Sequence, residues 1–173
     1  MDDELIMEIV EMCDDILASR RFEKAWQVPH HSKGGNIAYH SLETAGYALQ
    51  LARWLAGHDV LANELDVVRA SLLHDIGMTE DSVFFSASHQ KARSHPKVGA
   101  QIARDEFGAN HVQIEAILSH MWPVFRLVPP CSVEGWIVSA ADKQCSFFEL
   151  RRSVASTGRR LLGIFRLFER LDG

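Results

Sequence analysis

The chain has 173 residues, of which 47% are apolar and 24% are charged, and this composition is typical of a single globular domain. The apolar fraction excludes disorder over most of the chain, and no stretch reaches the roughly 18 consecutive apolar residues of a membrane span. The net charge of -5 disfavours double-stranded nucleic acid as the main partner, because phosphate binding needs a basic face.

The first residues and the cysteines indicate the cellular compartment. Met1 is followed by the acidic residues Asp2, Asp3 and Glu4, whereas a signal peptide needs positive charge at this position. The 3 cysteines are too few and too scattered for a disulfide framework or a thiolate metal cage. We therefore expect a cytoplasmic protein that has no membrane partner.

Helical periodicity dominates the chain, and no convincing pair of strands is present. Apolar residues at helical spacing predict helices over residues 3–19, 37–56, 63–77, 94–108, 110–121 and 132–148. A last apolar stripe, formed by Leu161, Phe165 and Phe168, predicts a final helix. This helix would pack on the core or on a second copy of the chain, as in a homodimer. The sequence therefore predicts one all-α domain over residues 1–173.

Two segments are predicted to be loops. Residues 20–36 contain Pro29 and a cluster of turn-forming residues, and we expect His30 and His31 of this segment to be solvated, with a position at the mouth of the pocket as the alternative. Residues 79–93 have no clear period, and they are predicted to form a loop with one short helix at most.

Capping residues predict where several helices begin and end. Asn63 is a suitable N-cap, and Asn110 begins a sequence that resembles a capping box. Pro96 fits the first turn of a helix that begins at residue 94 or 95, because its missing N–H costs little there. Gly108 is predicted to end the same helix in the left-handed conformation.

His74 and Asp75 carry the strongest local signal, because they follow the apolar residues Leu72 and Leu73 at the end of a predicted helix. Neighbouring side chains lie about 100° apart around a helix, so both can face one cavity. An imidazole nitrogen and a carboxylate oxygen together suit a divalent metal ion. A helix cap or a surface pair is the alternative, although an unpaired charge is costly to bury after an apolar run.

His40 and Asp142 lie in two other predicted helices, and each alone fits an ordinary position: a hydrogen-bonded core histidine and a surface acid. The ordered series of His, His-Asp and Asp, together with the literal His-Asp-Ile-Gly sequence, resembles the HD-domain superfamily of metal-dependent phosphohydrolases. The resemblance covers residues 37–148 and implies an HD-domain helical bundle. It also implies that one divalent metal ion is held by His40, His74, Asp75 and Asp142.

His95 and His120 lie near the ends of two predicted helices, and with them the series resembles the dinuclear branch of the superfamily. That resemblance implies a second ion, held by His95 and His120 and bridged to the first by Asp75. A single ion, with the two histidines as helix caps, is the alternative. His89 is a rival for the role of His95, although the sequence His-Pro-x-x-Gly-Ala, which recurs in dinuclear relatives, favours His95. Such a ligand set does not distinguish Fe, Mn, Ni, Mg and Zn.

Two departures from a related group bear on the substrate. Met121 stands where the HD-GYP phosphodiesterases, which cleave cyclic dinucleotides, commonly have a second histidine, and Met78 stands where they tend to have lysine. The chain looks more like small stand-alone bacterial HD proteins. We expect a small phosphorylated substrate, such as a nucleotide, and both a monoester and a diester fit the sequence.

The resemblance implies hydrolysis by a metal-activated hydroxide that Asp75 orients. Lys143, which follows Asp142, is a candidate for a phosphate contact, and an exposed helix lysine is an equal alternative. The sequence identifies no general acid. Two other functions fit the same residues: a mixed-valent di-iron oxygenase on the same fold, and a non-catalytic module that senses a nucleotide.

Overall fold

The described helices pack around one central helix, Glu64–Leu73. The computed structural model describes residues 3–30, 35–84 and 86–151. In chain order these contain α1 (Asp3–Leu17), α2 (Arg20–Ala25), α3 (Ile37–Ala56), α4 (Glu64–Leu73), a 3-10 helix (Ile76–Thr79), α5 (Asp81–Phe84), α6 (Ser88–Phe107), α7 (His111–Ser119) and α8 (residues 133–151). Within these ranges the β pairing is one isolated bridge between Pro29 and Asn36, so the all-α prediction is confirmed.

The predicted capping residues set three of the helix ends. Asn63 accepts the backbone N–H of Asp66 at 3.0 Å, which satisfies an N–H that has no partner within α4. Asn110 and Gln113 form a reciprocal capping box at the start of α7. Gly108 ends α6 with a φ of 61°, in the left-handed conformation. All three predictions are confirmed.

Helix α4 lies in the core, where it packs against α1, α3 and α7. Its last residues, Leu72 and Leu73, are fully buried, and burial of such a side chain contributes about 1.5–3 kcal/mol. A second apolar cluster joins residues of α3, α4 and α8, and its buried members are Ala48, Ala52, Val67, Ile137 and Ala141. These contacts hold the end of α4 beside the facing sides of α3 and α8, where the predicted ligands lie.

Gly77 permits a close approach between the 3-10 helix and α6. A Cβ atom at this position would lie 2.2 Å from the carbonyl oxygen of His95 and 2.6 Å from the backbone nitrogen of Gly99. Both neighbours are backbone atoms of α6, so a larger residue at position 77 would push that helix away. The glycine of the His-Asp-Ile-Gly sequence therefore determines how near His95 lies to Asp75.

Two helix boundaries differ from the prediction. Helix α4 ends at Leu73 rather than near Gly77, because Asp75 has φ -103° and ψ 3° and the chain tightens into the 3-10 helix. Helix α6 begins at Ser88 rather than at residue 94 or 95, so Pro96 lies inside it. The first-turn preference of proline is overridden here, because Pro96 is buried and this packing offsets the lost N–H bond.

The sequence predicts a loop over residues 20–36, but part of this segment is helical. Residues Arg20–Ala25 form α2, which is capped by Ser19 and buries Phe22 and Ala25. Six residues are too few to show a helical period in the sequence. The predicted stripe of Leu161, Phe165 and Phe168 lies outside the described residues. Among the described helices, none has both the length and the apolar character that crossing a lipid bilayer requires.

Candidate metal centre

The six side chains predicted as metal ligands lie in one buried cluster. They come from five different parts of the chain: α3, the end of α4, α6, the end of α7 and α8. Each residue is at most 8% exposed. The members of this group are His40, His74, Asp75, His95, His120 and Asp142. Side chains that are distant in the sequence therefore converge as the predicted site requires.

Asp75 lies between two sets of histidines. Its Oδ1 atom is 3.1 Å from Nε2 of His95 and 3.7 Å from Nε2 of His120. Its Oδ2 atom is 3.6 Å from Nε2 of His74 and 4.0 Å from Nε2 of His40. Each oxygen thus belongs to a separate group of donors close enough to share one ion. The arrangement is suited to a carboxylate that bridges two ions.

Asp142 closes the side of the cluster formed by α8. Its Oδ1 atom lies 3.3 Å from Nε2 of His40 and 3.8 Å from Nε2 of His74. Together with Asp75, it gives this half of the cluster two imidazole nitrogens and two carboxylates. Such a mixed nitrogen and oxygen donor set suits a divalent transition metal.

Backbone carbonyls orient three of the rings. Nδ1 of His74 donates to the carbonyl oxygen of Ser71 at 2.7 Å. Nδ1 of His95 donates to the carbonyl oxygen of Lys91 at 2.8 Å, and Nδ1 of His120 donates to that of Ile117 at 2.6 Å. A carbonyl oxygen only accepts, so the proton of each neutral ring is on Nδ1. The lone pair on Nε2 is then directed into the cluster.

The Nε2 atoms show that the residues fit a metal ion. Nε2 of His74 is buried and has no hydrogen-bond partner in the described part of the chain. Nε2 of His95 and Nε2 of His120 are 2.9 Å apart, so their two lone pairs face each other. A cation between them would relieve this repulsion, and this separation suits two ligands bound at about 2.0–2.1 Å.

Burial favours the neutral form of two of these rings, His74 and His120. Burial, then the charges of His74 and His95, lower the pKa of His120 to about 3, and burial lowers the pKa of His74. Burial alone would raise the pKa of Asp75, but the charge of His74 and contacts from neighbouring histidines hold it well below the usual range. At neutral pH His120 is therefore a neutral imidazole and Asp75 an ionised carboxylate, which are the forms in which these groups bind metal. At His95, by contrast, burial is outweighed by contacts with Asp75, which raise its pKa.

His40 experiences the strongest negative field. Burial lowers its pKa, but hydrogen bonds with Asp142 and Glu149 and the charge of Asp75 outweigh that effect and raise the pKa to about 10. The three carboxylates around this ring favour positive charge near it, whether that charge is a proton or a metal ion.

Two residues of the cluster are absent from the sequence prediction. His30 is expected to be solvated, but it is 7% exposed, with Nε2 3.2 Å from Oδ2 of Asp75. Glu149 accepts from Nδ1 of His30 at 3.0 Å and from Nδ1 of His40 at 2.9 Å. The spacing of Asp142 and Glu149, two helical turns apart, is the one sequence signal for this contact. His31 lies outside the described residues.

His89 and Lys143 are placed differently from the cluster. His89 is exposed and lines the adjoining cavity, whereas His95 contacts Asp75, so the structure brings His95 into the cluster in preference to His89. The Lys143 ammonium donates to the carbonyl oxygen of His120 at 2.5 Å and to Oγ of Ser139 at 3.2 Å. Its side chain also lines the cavity, which leaves it able to meet a ligand there.

A cavity of about 700 Å³ adjoins the cluster. Asp75, His95 and Asp142 line it, so the candidate metal centre is open to a ligand in this space. The walls combine cationic and apolar side chains, which include Lys91, Lys143, Met78, Met121, Val124 and Phe125. Pockets of about 300–1,000 Å³ are typical of sites for small molecules.

Comparison with known proteins identifies relatives of this chain. The family model of the HD domain matches residues 37–144. Ribonuclease Y of Treponema pallidum is 32% identical over 111 residues, which cover 64% of this chain and 19% of that protein. Ribonuclease Y of Thermoanaerobacter pseudethanolicus is 31% identical over 141 residues, or 82% and 23% of the two chains.

Ribonuclease Y of Enterococcus faecalis is 39% identical over 111 residues, which cover 64% of this chain and 18% of that protein. The chain thus spans about a fifth of the length of these curated relatives. No solved structure gives a significant match.

Proposed function

The chain belongs to the HD-domain family, and from that premise we propose that it is a metal-dependent phosphohydrolase that acts on a nucleotide or a related small phosphorylated molecule. The observation that carries this proposal is the convergence of imidazole nitrogens and two ionised carboxylates around Asp75, with Nε2 of His74 directed into the cluster. This convergence supports the dinuclear ligand set that the resemblance implies.

The cluster would hold two divalent ions. His40, His74 and Asp142 would hold one with Asp75, and His95 and His120 would hold the other with the second oxygen of Asp75. When bound, the ions would activate water at neutral pH and neutralise charge on the phosphoryl oxygens. The protein's own part is to keep the four rings fixed as uncharged ligands of the bound ions, so that part of the positive charge of the ions remains for an anionic substrate.

The cavity supports a nucleotide as the substrate. Lys91 and Lys143 would attract its phosphate, and Met121, Val124 and Phe125 form an apolar wall suited to the flat face of a base. Met78 and Met121 both line this space, where they add apolar surface rather than a phosphate contact. This lining agrees with a substrate other than a cyclic dinucleotide.

Turnover of a nucleotide panel tests the proposal. We expect chain purified without chelator, and supplied with Mn²⁺, to release phosphate or nucleoside monophosphate, to lose activity with chelator and to regain it when Mn²⁺ is restored. Metal content near two ions per chain would support the dinuclear site. Activity that survives complete metal removal would overturn the proposal, as would oxygen consumption without hydrolysis, which would favour the oxygenase.

A substitution at Lys143 tests the phosphate contact. Loss of one charge-assisted hydrogen bond costs about 1.5–3 kcal/mol, so Lys143→Met should raise KM for the nucleotide at least tenfold. The metal content should stay at the wild-type value. Lys97→Met, which removes an exposed lysine of α6, is the matched control. An unchanged KM would show that the ammonium serves only the turn at His120.

Cleavage of RNA is a second candidate, favoured by the name of the relatives, Ribonuclease Y. An RNA strand would place one phosphodiester at Asp75 and extend beyond the cavity. Rates on a short single-stranded RNA and on nucleotides, measured at equal phosphate concentration, separate the two. Faster cleavage of RNA would replace the small-molecule proposal, while the assignment of the metal centre would remain.

A further inference from the structure

His30 extends the cluster from the loop that precedes α3. Its ring stacks on the ring of His40, with the centroids 3.9 Å apart and an angle of 20° between the planes. Its Nε2 atom lies 3.2 Å from Oδ2 of Asp75, which is closer than the Nε2 atoms of His40 and His74 to the same oxygen. The family resemblance gives His30 no role, so the contact is an observation separate from the predicted ligand set.

Glu149 orients both stacked rings. Its two oxygens each accept from one ring: Oε2 from Nδ1 of His30 at 3.0 Å and Oε1 from Nδ1 of His40 at 2.9 Å. Both oxygens have an imidazole nitrogen within hydrogen-bond distance, which is the arrangement of an ionised carboxylate that accepts on both sides. An ionised carboxylate only accepts hydrogen bonds, which places the protons on the two Nδ1 atoms.

This proton placement determines what Nε2 of His30 can do. In the neutral ring, Nε2 carries a lone pair that is directed at Oδ2 of Asp75, which is also an acceptor. A cation beside both atoms turns this repulsion into shared attraction. A histidine that binds metal through one nitrogen and donates the other to a carboxylate is a common arrangement in metal sites.

We propose that His30 is an additional metal-binding residue of this centre, and that Glu149 is the positioning residue that orients it. The proposal rests on the metal centre of the proposed function, and it adds a donor from outside the region that the HD-domain model matches, residues 37–144. It ties the loop before α3 to the metal and, through Glu149, to α8.

Metal affinity of variants tests this role without reference to turnover. We expect His30→Ala to weaken Co²⁺ or Mn²⁺ binding at least 10–100-fold, as measured by competition with a chelator, and to change the visible absorption of the Co²⁺-loaded chain. Free imidazole should partly restore both. Glu149→Gln keeps the shape but has one acceptor oxygen for two N–H donors, so it should weaken binding about tenfold or more. His89→Ala is the matched control, because His89 lines the same cavity outside the cluster.

The outcomes separate this inference from the proposed function. If the wild-type chain binds no divalent ion, both fail. If the wild-type chain binds metal and His30→Ala has the same affinity and the same Co²⁺ spectrum, the inference alone fails. A lower melting temperature with an unchanged spectrum would make His30 a structural residue, and this too would overturn it. His30→Gln, which retains a polar side chain of similar length, provides the same readouts if His30→Ala does not fold.

Discussion

The histidines of the candidate metal centre are oriented in two ways. His74, His95 and His120, here called the carbonyl-oriented histidines, each donate Nδ1–H to a backbone carbonyl three or four residues earlier. His30 and His40, the Glu149-oriented pair, instead direct Nδ1 to a side chain 119 and 109 residues later. The first arrangement follows from local helix geometry, whereas the second exists only when α8 is docked.

This difference determines how each group of histidines responds to mutation. A carbonyl is present whatever the side chain, so the carbonyl-oriented histidines keep their direction while their helix ends are intact. The Glu149-oriented pair depends on one removable carboxylate. Asp75 contacts both groups: Oδ1 faces His95 and His120, whereas Oδ2 faces His74 as well as His30 and His40.

Removal of Asp75 should have the largest effect, since Asp75 contacts both groups of histidines. We expect Asp75→Ala to abolish detectable turnover and to lower metal content below one ion per chain. This loss should exceed the roughly 10–100-fold cost of losing a residue that only orients a ligand. Elemental analysis and nucleotide turnover measure it, and Asp105→Ala, an exposed aspartate of α6, is the control. Near-normal metal content in Asp75→Ala would contradict the assignment.

Gly77→Ala should displace His95, one of the carbonyl-oriented histidines, because it shifts the backbone of α6. The new Cβ would overlap the carbonyl oxygen of His95, so α6 must shift, and we expect a loss of about 3 kcal/mol in the free energy of unfolding. For a chain of this length that corresponds to a fall in Tm of roughly 6–12 °C.

Gly99→Ala provides the contrast to Gly77→Ala. A Cβ at position 99 meets its nearest neighbour, the backbone nitrogen of Gly77, at 3.3 Å, so a shift of a few tenths of an ångström accommodates it. Thermal unfolding of the two variants should therefore differ clearly. Equal stability would mean that Gly77 does not control the approach of α6.

Features of this molecule also differ in how far the sequence predicts them. Short-range features, such as the cap at Asn63, the capping box at Asn110 and the left-handed Gly108, can be predicted because neighbouring residues decide them. The convergence of His40 with Asp142 follows from the resemblance to a family and not from any local pattern. The six ligand positions are predicted on that basis, and their roles stay predictions, whereas the all-helical class is predicted from helical periodicity.

The remaining features depend on tertiary contacts that leave little trace in the sequence. His30 follows turn-forming residues, so solvent exposure is the natural expectation, yet it is buried because α8 covers it with Glu149. Helix α2 is too short for periodicity to reveal it. Pro96 shows how packing overrides a positional preference that holds for isolated helices.

Ser71→Ala tests whether the orientation of His74 depends on the side chain of Ser71. His74 uses the Ser71 carbonyl and not its hydroxyl, which is buried and has no partner in the described ranges. We expect metal affinity to stay within about twofold of wild type, because the carbonyl remains. Stability should be unchanged or raised by up to about 1 kcal/mol, since an unsatisfied buried hydroxyl is removed. Chelator competition and denaturant unfolding measure these values, and a tenfold loss of affinity would show that the hydroxyl takes part.

Cys145 reports on the docking of α8, which carries Asp142 and Glu149. Burial, with smaller effects from nearby carboxylates, raises the pKa of its thiol to about 12, so at pH 8 roughly one thiol in ten thousand is ionised. Only the thiolate reacts with an alkylating reagent, and the rate should therefore increase about tenfold per pH unit. Mass spectrometry should show exposed Cys131 modified well before Cys145. Glu149→Ala removes the hydrogen bonds of α8 with His30 and His40, so it should accelerate modification of Cys145. Equal rates at Cys131 and Cys145 in the wild-type chain would show that α8 is not held against α3.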